Sequence, residues 1–217
     1  MTTSEHALER TRRRYDRIAP IYDAFSAISE LRLSRWRRRL WELVTEGPVL
    51  ELGVGTGKSI RHYPAGLEVV GVDISERMLA RARRRARRSG RTVRLELADA
   101  QELPYDTASF ATVVTTCVFC SIPEPARALA EARRVLQPGG RLLMLEHVLS
   151  HRPRLRRWMQ WLDPIPAALW GAHIDRDTVD AVGRAGFAEI EATPLWLDVV
   201  QLVCARNPQL ADTGAHR

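Results

Sequence analysis

Residues 48 to 58, Pro48-Val-Leu-Glu-Leu-Gly-Val-Gly-Thr-Gly-Lys58, constrain this chain more than any other stretch. Val49 to Leu52 read as a buried strand. The run then enters a glycine turn, after which a helix is expected. Gly53, Gly55 and Gly57 lack a Cβ, so the backbone there can turn tightly and approach a ligand. A second strand, 68–72, ends on Asp73. A strand, a glycine turn, a helix and an acid at that offset form a nucleotide-binding fingerprint, in which the acid accepts hydrogen bonds from ribose hydroxyls. The glycine spacing is GxGxG followed by Lys58, and not the dinucleotide GxGxxG. A pyrophosphate needs open amides at a helix N-terminus. Glu51 instead sets a carboxylate beside the turn, which repels phosphate and suits an ammonium or a sulfonium.

This stretch resembles motif I of class I S-adenosylmethionine (SAM) methyltransferases. The resemblance continues at Asp99-Ala100 and at Pro138-Gly139-Gly140, and covers roughly residues 12 to 205. It implies SAM as cofactor. The ribose would go to Asp73, with Ile74 and Met78 beside it, and the adenine to Asp99 and Ala100. Glu51, Gly53, Gly55 and Gly57 would line the turn, and Thr116 and Cys117 would close the site. Arg14-Tyr-Asp-Arg-Ile-Ala-Pro-Ile-Tyr-Asp23 resembles a signature of the ubiquinone/menaquinone C-methyltransferases and the bacterial phospholipid N-methyltransferases. In those families this segment folds over the cofactor, which makes Tyr15 and Tyr22 lid residues. Val118-Phe-Cys-Ser-Ile-Pro-Glu-Pro125, with Leu145-Glu-His-Val148, is similar to a pairing in the alkyl thiol methyltransferases, as are Leu162-Asp-Pro164 and Gly171…Arg176.

The expected fold is α/β: a Rossmann-like, doubly wound sheet. Strands are expected at 48–52, 68–72, 92–97, 111–116, 141–146, 187–192 and 199–205. Helices are expected at 4–17, 29–45, 76–89 (capped by Ser75), 124–136, 152–162 and from Asp175 or Thr178 to Ala185. Pro20 should break the first helix or open the next. The resemblance implies seven strands in the order 3-2-1-4-5-7-6 with the last antiparallel. A chain of 217 residues is expected to form one domain. Residues 1–45 would be its helical lid, 46–206 the SAM-binding body and 207–217 a disordered tail.

Composition narrows the setting. The formal charge is +7, and Lys58 is the only lysine among 33 basic residues. A field so positive favours anionic membranes or nucleic acid. No recognisable RNA-binding module accompanies it, which argues against nucleic acid. No apolar run is long enough to span a membrane, and the first residues lack a secretory pattern, so a cytoplasmic protein is expected, peripheral on the inner membrane face. Cys117, Cys120 and Cys204 do not form a disulfide framework. Cys117-Val-Phe-Cys120 lacks the further ligands that zinc needs, so no metal site is expected.

In open α/β sheets the ligand sits beyond the carboxyl ends of the strands. His147 ends the fifth strand, where an imidazole could take a proton from an acceptor. Leu33, Trp36, Leu40 and Val44 stripe the second helix, and Leu155, Trp158, Met159 and Leu162 stripe the insertion after strand five. Five of the six tryptophans (Trp36, Trp41, Trp158, Trp161 and Trp170) fall in these two segments, which are expected to cap an apolar acceptor pocket. The reading that follows is a SAM-dependent methyltransferase for a small apolar or amphiphilic acceptor: a thiol, a quinol or a phospholipid headgroup. An RNA methyltransferase and a non-catalytic SAM-binding membrane adaptor are the alternatives.

Overall fold

The structure, a computed structural model, describes residues 3–163 and 176–209. Helices α1 (Thr3–Phe25) and α2 (Ala27–Glu42) precede strand β1 (Val49–Leu52). Then come β2 (Val69–Asp73), α3 (Glu76–Ser89), β3 (Arg94–Leu97), β4 (Phe110–Thr116), α4 (Pro125–Val135) and β5 (Leu136–His147). Helix α5 (Pro153–Leu162), α6 (Thr178–Arg184), β6 (Ala188–Trp196) and β7 (Val200–Arg206) complete the described chain. The seven strands form one sheet in the order β3-β2-β1-β4-β5-β7-β6. Only β7 runs against its neighbours. Fold class, order and the single antiparallel strand are those expected.

All four residues of β1 are buried, the mark of a strand covered on both faces. On one face Leu50, Leu52, Val70 and Val113 pack with Leu129 and Ala132 of α4 and Val182 of α6. On the other, Val49, Val69, Val114 and Leu143 pack with Leu40 and Trp41 of α2, the following Val44, and Ala82 and Ala86 of α3. The order reverses between β1 and its neighbours β2 and β4, and the crevice above their carboxyl ends is where such a sheet binds its ligand. Helix α3 starts there. Its cap, Ser75 Oγ, accepts from the Met78 amide at 3.1 Å, and Gly90 ends the helix in the left-handed region.

Several boundaries differ from expectation, each for a physical reason. No full helix follows the glycine turn; a single 3-10 turn, Ile60–His62, stands there. Helix α2 covers that part of the sheet instead, with Leu40, Trp41 and Val44 against Ile60 and Tyr63. Pro20 does not break α1 but lies inside it. A proline removes the amide that would bond the carbonyl four residues back. That carbonyl, of Asp16, accepts instead from the Arg77 guanidinium at 3.4 Å, and the carbonyl of Pro20 accepts from Arg81 at 2.7 Å. Strand β5 begins at Leu136 rather than 141, with a register shift against β4 that absorbs Pro138-Gly139-Gly140. Asn207, expected in the tail, is buried. Its amide nitrogen donates to the carbonyls of Leu136, Gln137 and Arg133. The expected tail from 210 on, Pro164, Trp170, Gly171 and the alternative helix start at Asp175 lie outside the described residues.

The tryptophans are placed differently from the expectation of an acceptor cap. Trp41 is 1% exposed and its ring lies 4.3 Å from that of Tyr63 in the core under the sheet. Trp36 packs on the same core. Trp158 and Trp161 face outward, 61% and 74% exposed.

Candidate functional site

The glycine turn joins β1 to the cleft. Its three glycines do different work. A Cβ on Gly53 would strike Val118 at 2.5 Å, and one on Gly57 would strike Ile60 at 2.6 Å and the α3 backbone at Ala82 at 2.9 Å. Those two glycines let β1, α3 and the loop after β4 pack. Gly55 has φ +56° and only the Gly53 carbonyl, at 3.9 Å, near its Cβ position. It leaves a space in which a ligand fits. Its amide donates to Asp73 Oδ2 at 2.8 Å, and the Ser75 amide donates to Asp73 Oδ1 at 2.9 Å.

Asp73 therefore bridges the glycine turn and the α3 cap from the end of β2. Around it lies a cleft of ≈ 730 Å³, counting open solvent at its mouth. Gly53, Gly55, Asp73, Ile74, Met78, Asp99, Ala100, Thr116 and Cys117 all line it, so the structure brings these candidate residues together. Tyr15 and Tyr22 line it from α1, along with Leu8 and Thr11. Helix α1 is thus the roof. Two aspartates seat it. Asp16 Oδ1 accepts from Ser75 Oγ at 2.6 Å, and Asp23 Oδ1 accepts from Thr56 Oγ1 at 2.8 Å. Arg85 donates to Asp23 at 3.1 Å and to the Thr56 carbonyl.

Glu51 stands apart from the expected geometry. It is 1% exposed and lines a smaller polar chamber with Arg37, Lys58, Ser59 and Thr56, which shares Tyr22, Gly53, Gly55 and Thr116 with the main cleft. Tyr63 donates its phenol proton to Glu51. Arg37 pairs with Glu30, which Lys58 also approaches at 3.2 Å. Burial pushes the carboxyl of Glu51 up to about 7 and that of Asp73 up to about 6. Carboxylates that burial raises in this way gain from a cationic ligand.

The end of the cleft where the acceptor is expected is held by one carboxylate. Glu146, fully buried on β5, accepts from Thr115 Oγ1 at 2.6 Å, the Val118 amide at 3.0 Å and the Phe119 amide at 3.4 Å. These bonds hold the loop after β4, where Cys117 adopts φ +53°. A non-glycine residue in that region is strained and persists only where its surroundings hold it. Burial raises Glu146 to about 7 and pushes the Cys117 thiol well up. His147 Nδ1 lies 3.5 Å from Cys117 Sγ, and burial lowers its pKa. The imidazole stands behind Cys117 and not on the cleft wall itself. The thiols of Cys117 and Cys120 are both free. Among the described residues no cluster of side chains could hold a metal ion.

Sequence reasoning missed Leu8, Thr11, Asp16, Asp23, Arg37 and Gln101. The first four carried a signal. Leu8, Thr11, Tyr15 and Tyr22 recur at helical spacing, and each aspartate follows a tyrosine, so one face of α1 was marked out. Arg37 falls in the apolar stripe of α2, where a charge is not expected. Gln101 is buried and links Asp99 to the Glu124 amide, which it accepts at 2.8 Å.

These residues fit SAM. Asp99, Ala100 and Gln101 would bound the adenine and Asp73 would take the ribose. Glu51 would face the ammonium, and Arg37 with Lys58 the carboxylate. The buried Thr116 Oγ1, which has no hydrogen-bond partner, would meet the middle of the molecule. A sheet of this order with a glycine turn, a ribose acid and a helical roof defines a class I, Rossmann-like methyltransferase fold. Residues 50–144 match the family profile described as methyltransferase domain. The chain is 39% identical over 139 residues to the demethylmenaquinone methyltransferase of Thermus thermophilus, an alignment that takes in 61% of this chain and 63% of that one. It is also 39% identical over 143 residues to the phosphatidylethanolamine N-methyltransferase of Cereibacter sphaeroides, covering 64% of this chain and 69% of that one. The chain thus spans just under two thirds of the Thermus relative's length. A solved SAM-dependent methyltransferase of Thermotoga maritima, described as a possible histamine N-methyltransferase, shares the fold. Its TM-score is 0.69 at 22% identity, over 91% of this chain and 99% of that one. The chain belongs to the SAM-dependent methyltransferases.

Proposed function

We propose that the protein methylates a small, lipid-soluble acceptor, a quinol before all others, at the mouth of this cleft. The observation that carries this reading is the apolar lining that Val118, Ile122 and Pro123, in the loop after β4, give the cleft. The name of the Thermus relative supports a quinol. The name of the Cereibacter relative supports a second reading, a phospholipid amine.

SAM, when bound, supplies an electrophilic methyl group on a sulfonium. The chain's own residues do the rest. Asp73, Asp99 and Glu51 fix the donor along the strand ends. Tyr15 and Tyr22 roof it and exclude water. Glu146 sets the loop that carries Cys117 and so shapes the floor beneath the acceptor. Holding donor and acceptor in line is worth roughly 7–11 kcal/mol. His147, whose pKa burial lowers, would take the acceptor's proton by relay: the Cys117 thiol gives its proton to Nδ1 and takes the acceptor's in its place. Residues 1–45 act as a lid on a single body. Among the described residues no helix is long and apolar enough to cross a membrane. A cytoplasmic enzyme that meets its acceptor at a membrane surface is the setting this reading requires.

The test is methyl transfer from labelled SAM to a panel of a demethylmenaquinol analogue, phosphatidylethanolamine and an alkyl thiol. Label in the quinol is the expected result. Label in phosphatidylethanolamine alone selects the second reading. SAM binding with no transfer to any acceptor favours a non-catalytic adaptor, and label in RNA favours the RNA alternative.

A further inference from the structure

Helix α5 carries one broad apolar arc, and only part of it is covered. Successive residues of an α-helix are turned by 100°. Leu155, Met159 and Leu162 fall on the side toward the body, where Met159 is buried. Arg154, Arg157, Trp158 and Trp161 fall together on the flank next to it, all exposed. The two indoles meet edge to face, with centroids 6.0 Å apart. They form a ready-made apolar patch flanked by guanidinium groups. From Pro153 to Leu162 the helix has no acidic residue.

A second element points the same way. The turn between β6 and β7, Trp196-Leu197-Asp198-Val199, is closed by the Val199 amide on the Trp196 carbonyl at 2.8 Å. Leu197 and Asp198 have φ +48° and +64°. Turns of this geometry favour asparagine and glycine. Here an exposed leucine takes the left-handed position, with the half-exposed Trp196 beside it. Strain spent on holding an apolar side chain in water calls for a use. The same turn is tied to α5: Asp198 accepts from Ser150 Oγ at 2.9 Å and from the His151 amide at 3.0 Å. Its carboxylate is thereby engaged and does not oppose the arginines of the outer face.

We infer that the outer face of α5 and the tip of the β6–β7 turn together form the surface that docks this protein on an anionic lipid bilayer. Tryptophan suits the bilayer interface, with an apolar ring and one polar N–H, and arginine pairs with lipid phosphate. Charge complementarity commits the face to lipid: the exposed Arg154 and Arg157 flank the indoles, and the helix holds no acid from Pro153 to Leu162. The turn follows the end of β6 and pairs across from His147, so the docked side is the side on which the acceptor arrives. The inference rests on the reading of a lipid-soluble acceptor and names the surface by which it is met. Helix α2, of similar composition, takes no part, because Trp36 and Trp41 are packed inward.

The test is co-sedimentation of the full chain with vesicles of phosphatidylcholine alone or mixed equally with phosphatidylglycerol, at low and high salt. The chain is expected to bind the mixed vesicles, and more weakly in high salt. Trp158→Ser/Trp161→Ser and Arg154→Gln/Arg157→Gln should each weaken binding by about tenfold or more with SAM affinity unchanged. Leu197→Asn, which suits the left-handed turn, should weaken it less. Equal binding by wild type and both double variants overturns the inference, as does a wild type that ignores all vesicles. So does a concentration-dependent dimer abolished by the tryptophan variant, since the face would then pair copies of the chain. Transfer to a detergent-solubilised quinol keeps the two readings separable. Vesicle binding without any such transfer refutes the acceptor alone. Transfer with no vesicle binding refutes the surface alone.

Discussion

Helices α2 and α5 look alike on paper and fare oppositely. Each mixes two tryptophans with a run of arginines. In α2 the apolar residues form one broad arc, and the sheet is wide enough to cover it. Trp41 disappears beneath β1 and β5, and even Arg37 is drawn in, 7% exposed. In α5 the arc is about as broad, but the body covers only its Met159 side and leaves Trp158 and Trp161 in solvent. Composition says how much apolar surface a helix has. Only the neighbours decide how much of it is covered.

Core truncation on the covered helix should give the largest effect. Trp41→Ala is expected to cost about 3–5 kcal/mol of stability, whereas Trp161→Ala should change it by no more than about 0.5 kcal/mol. Urea unfolding of both variants measures the contrast. Similar losses from the two would erase the distinction between the helices.

The acceptor side is tested by His147→Ala. A general base contributes about 10²–10⁴-fold, so turnover at pH 7 should fall within that range while SAM binding persists. With a thiol or phenol acceptor, raising the pH toward the acceptor's own pKa should restore much of the rate. An equal loss at both pH values would make His147 a positioning residue.

The cofactor side is tested by Asp73→Ala, which removes charge-assisted hydrogen bonds worth roughly 1.5–3 kcal/mol. SAM affinity should drop by about 10–150-fold in a folded protein, as read by calorimetry. An unchanged affinity would overturn the assignment of the whole cleft.

The smallest effect is on the pH dependence of the protein without cofactor. Asp73, Glu51 and Glu146 all have raised pKa values when folded, about 6, 7 and 7. The folded state therefore holds protons that the unfolded state has released, and stability should rise as pH falls from above 7 toward 5. Saturating SAM, by compensating Asp73 and Glu51, should flatten that slope. A melting temperature that climbs steadily with pH would contradict it.

The parts legible in the sequence were local ones. Gly53 to Gly57, Asp73 and the Ser75 cap declare themselves within one strand–turn–helix unit, and so does strand alternation. Tyr15 and Tyr22 were legible through resemblance. What escaped depends on partners far along the chain. Asp16 meets Ser75, Asp23 meets Thr56, and Asn207 meets Leu136, and no local pattern announces such pairs. Arg37 escaped because periodicity treats a charge in an apolar stripe as noise. The outward turn of Trp158 escaped because the stripe Leu155, Trp158, Met159 and Leu162 fits a single face until the body shows how narrow its contact is.

The seating of α1 has a mechanical consequence. Its two aspartates, one heptad apart, fasten to the ends of neighbouring strands: Asp16 to the cap after β2, Asp23 to the turn after β1. The helix is therefore a cross-tie between the two loops that grip the nucleoside, and it fixes their spacing. Displacing α1 would therefore have to move both loops or break both aspartate bonds.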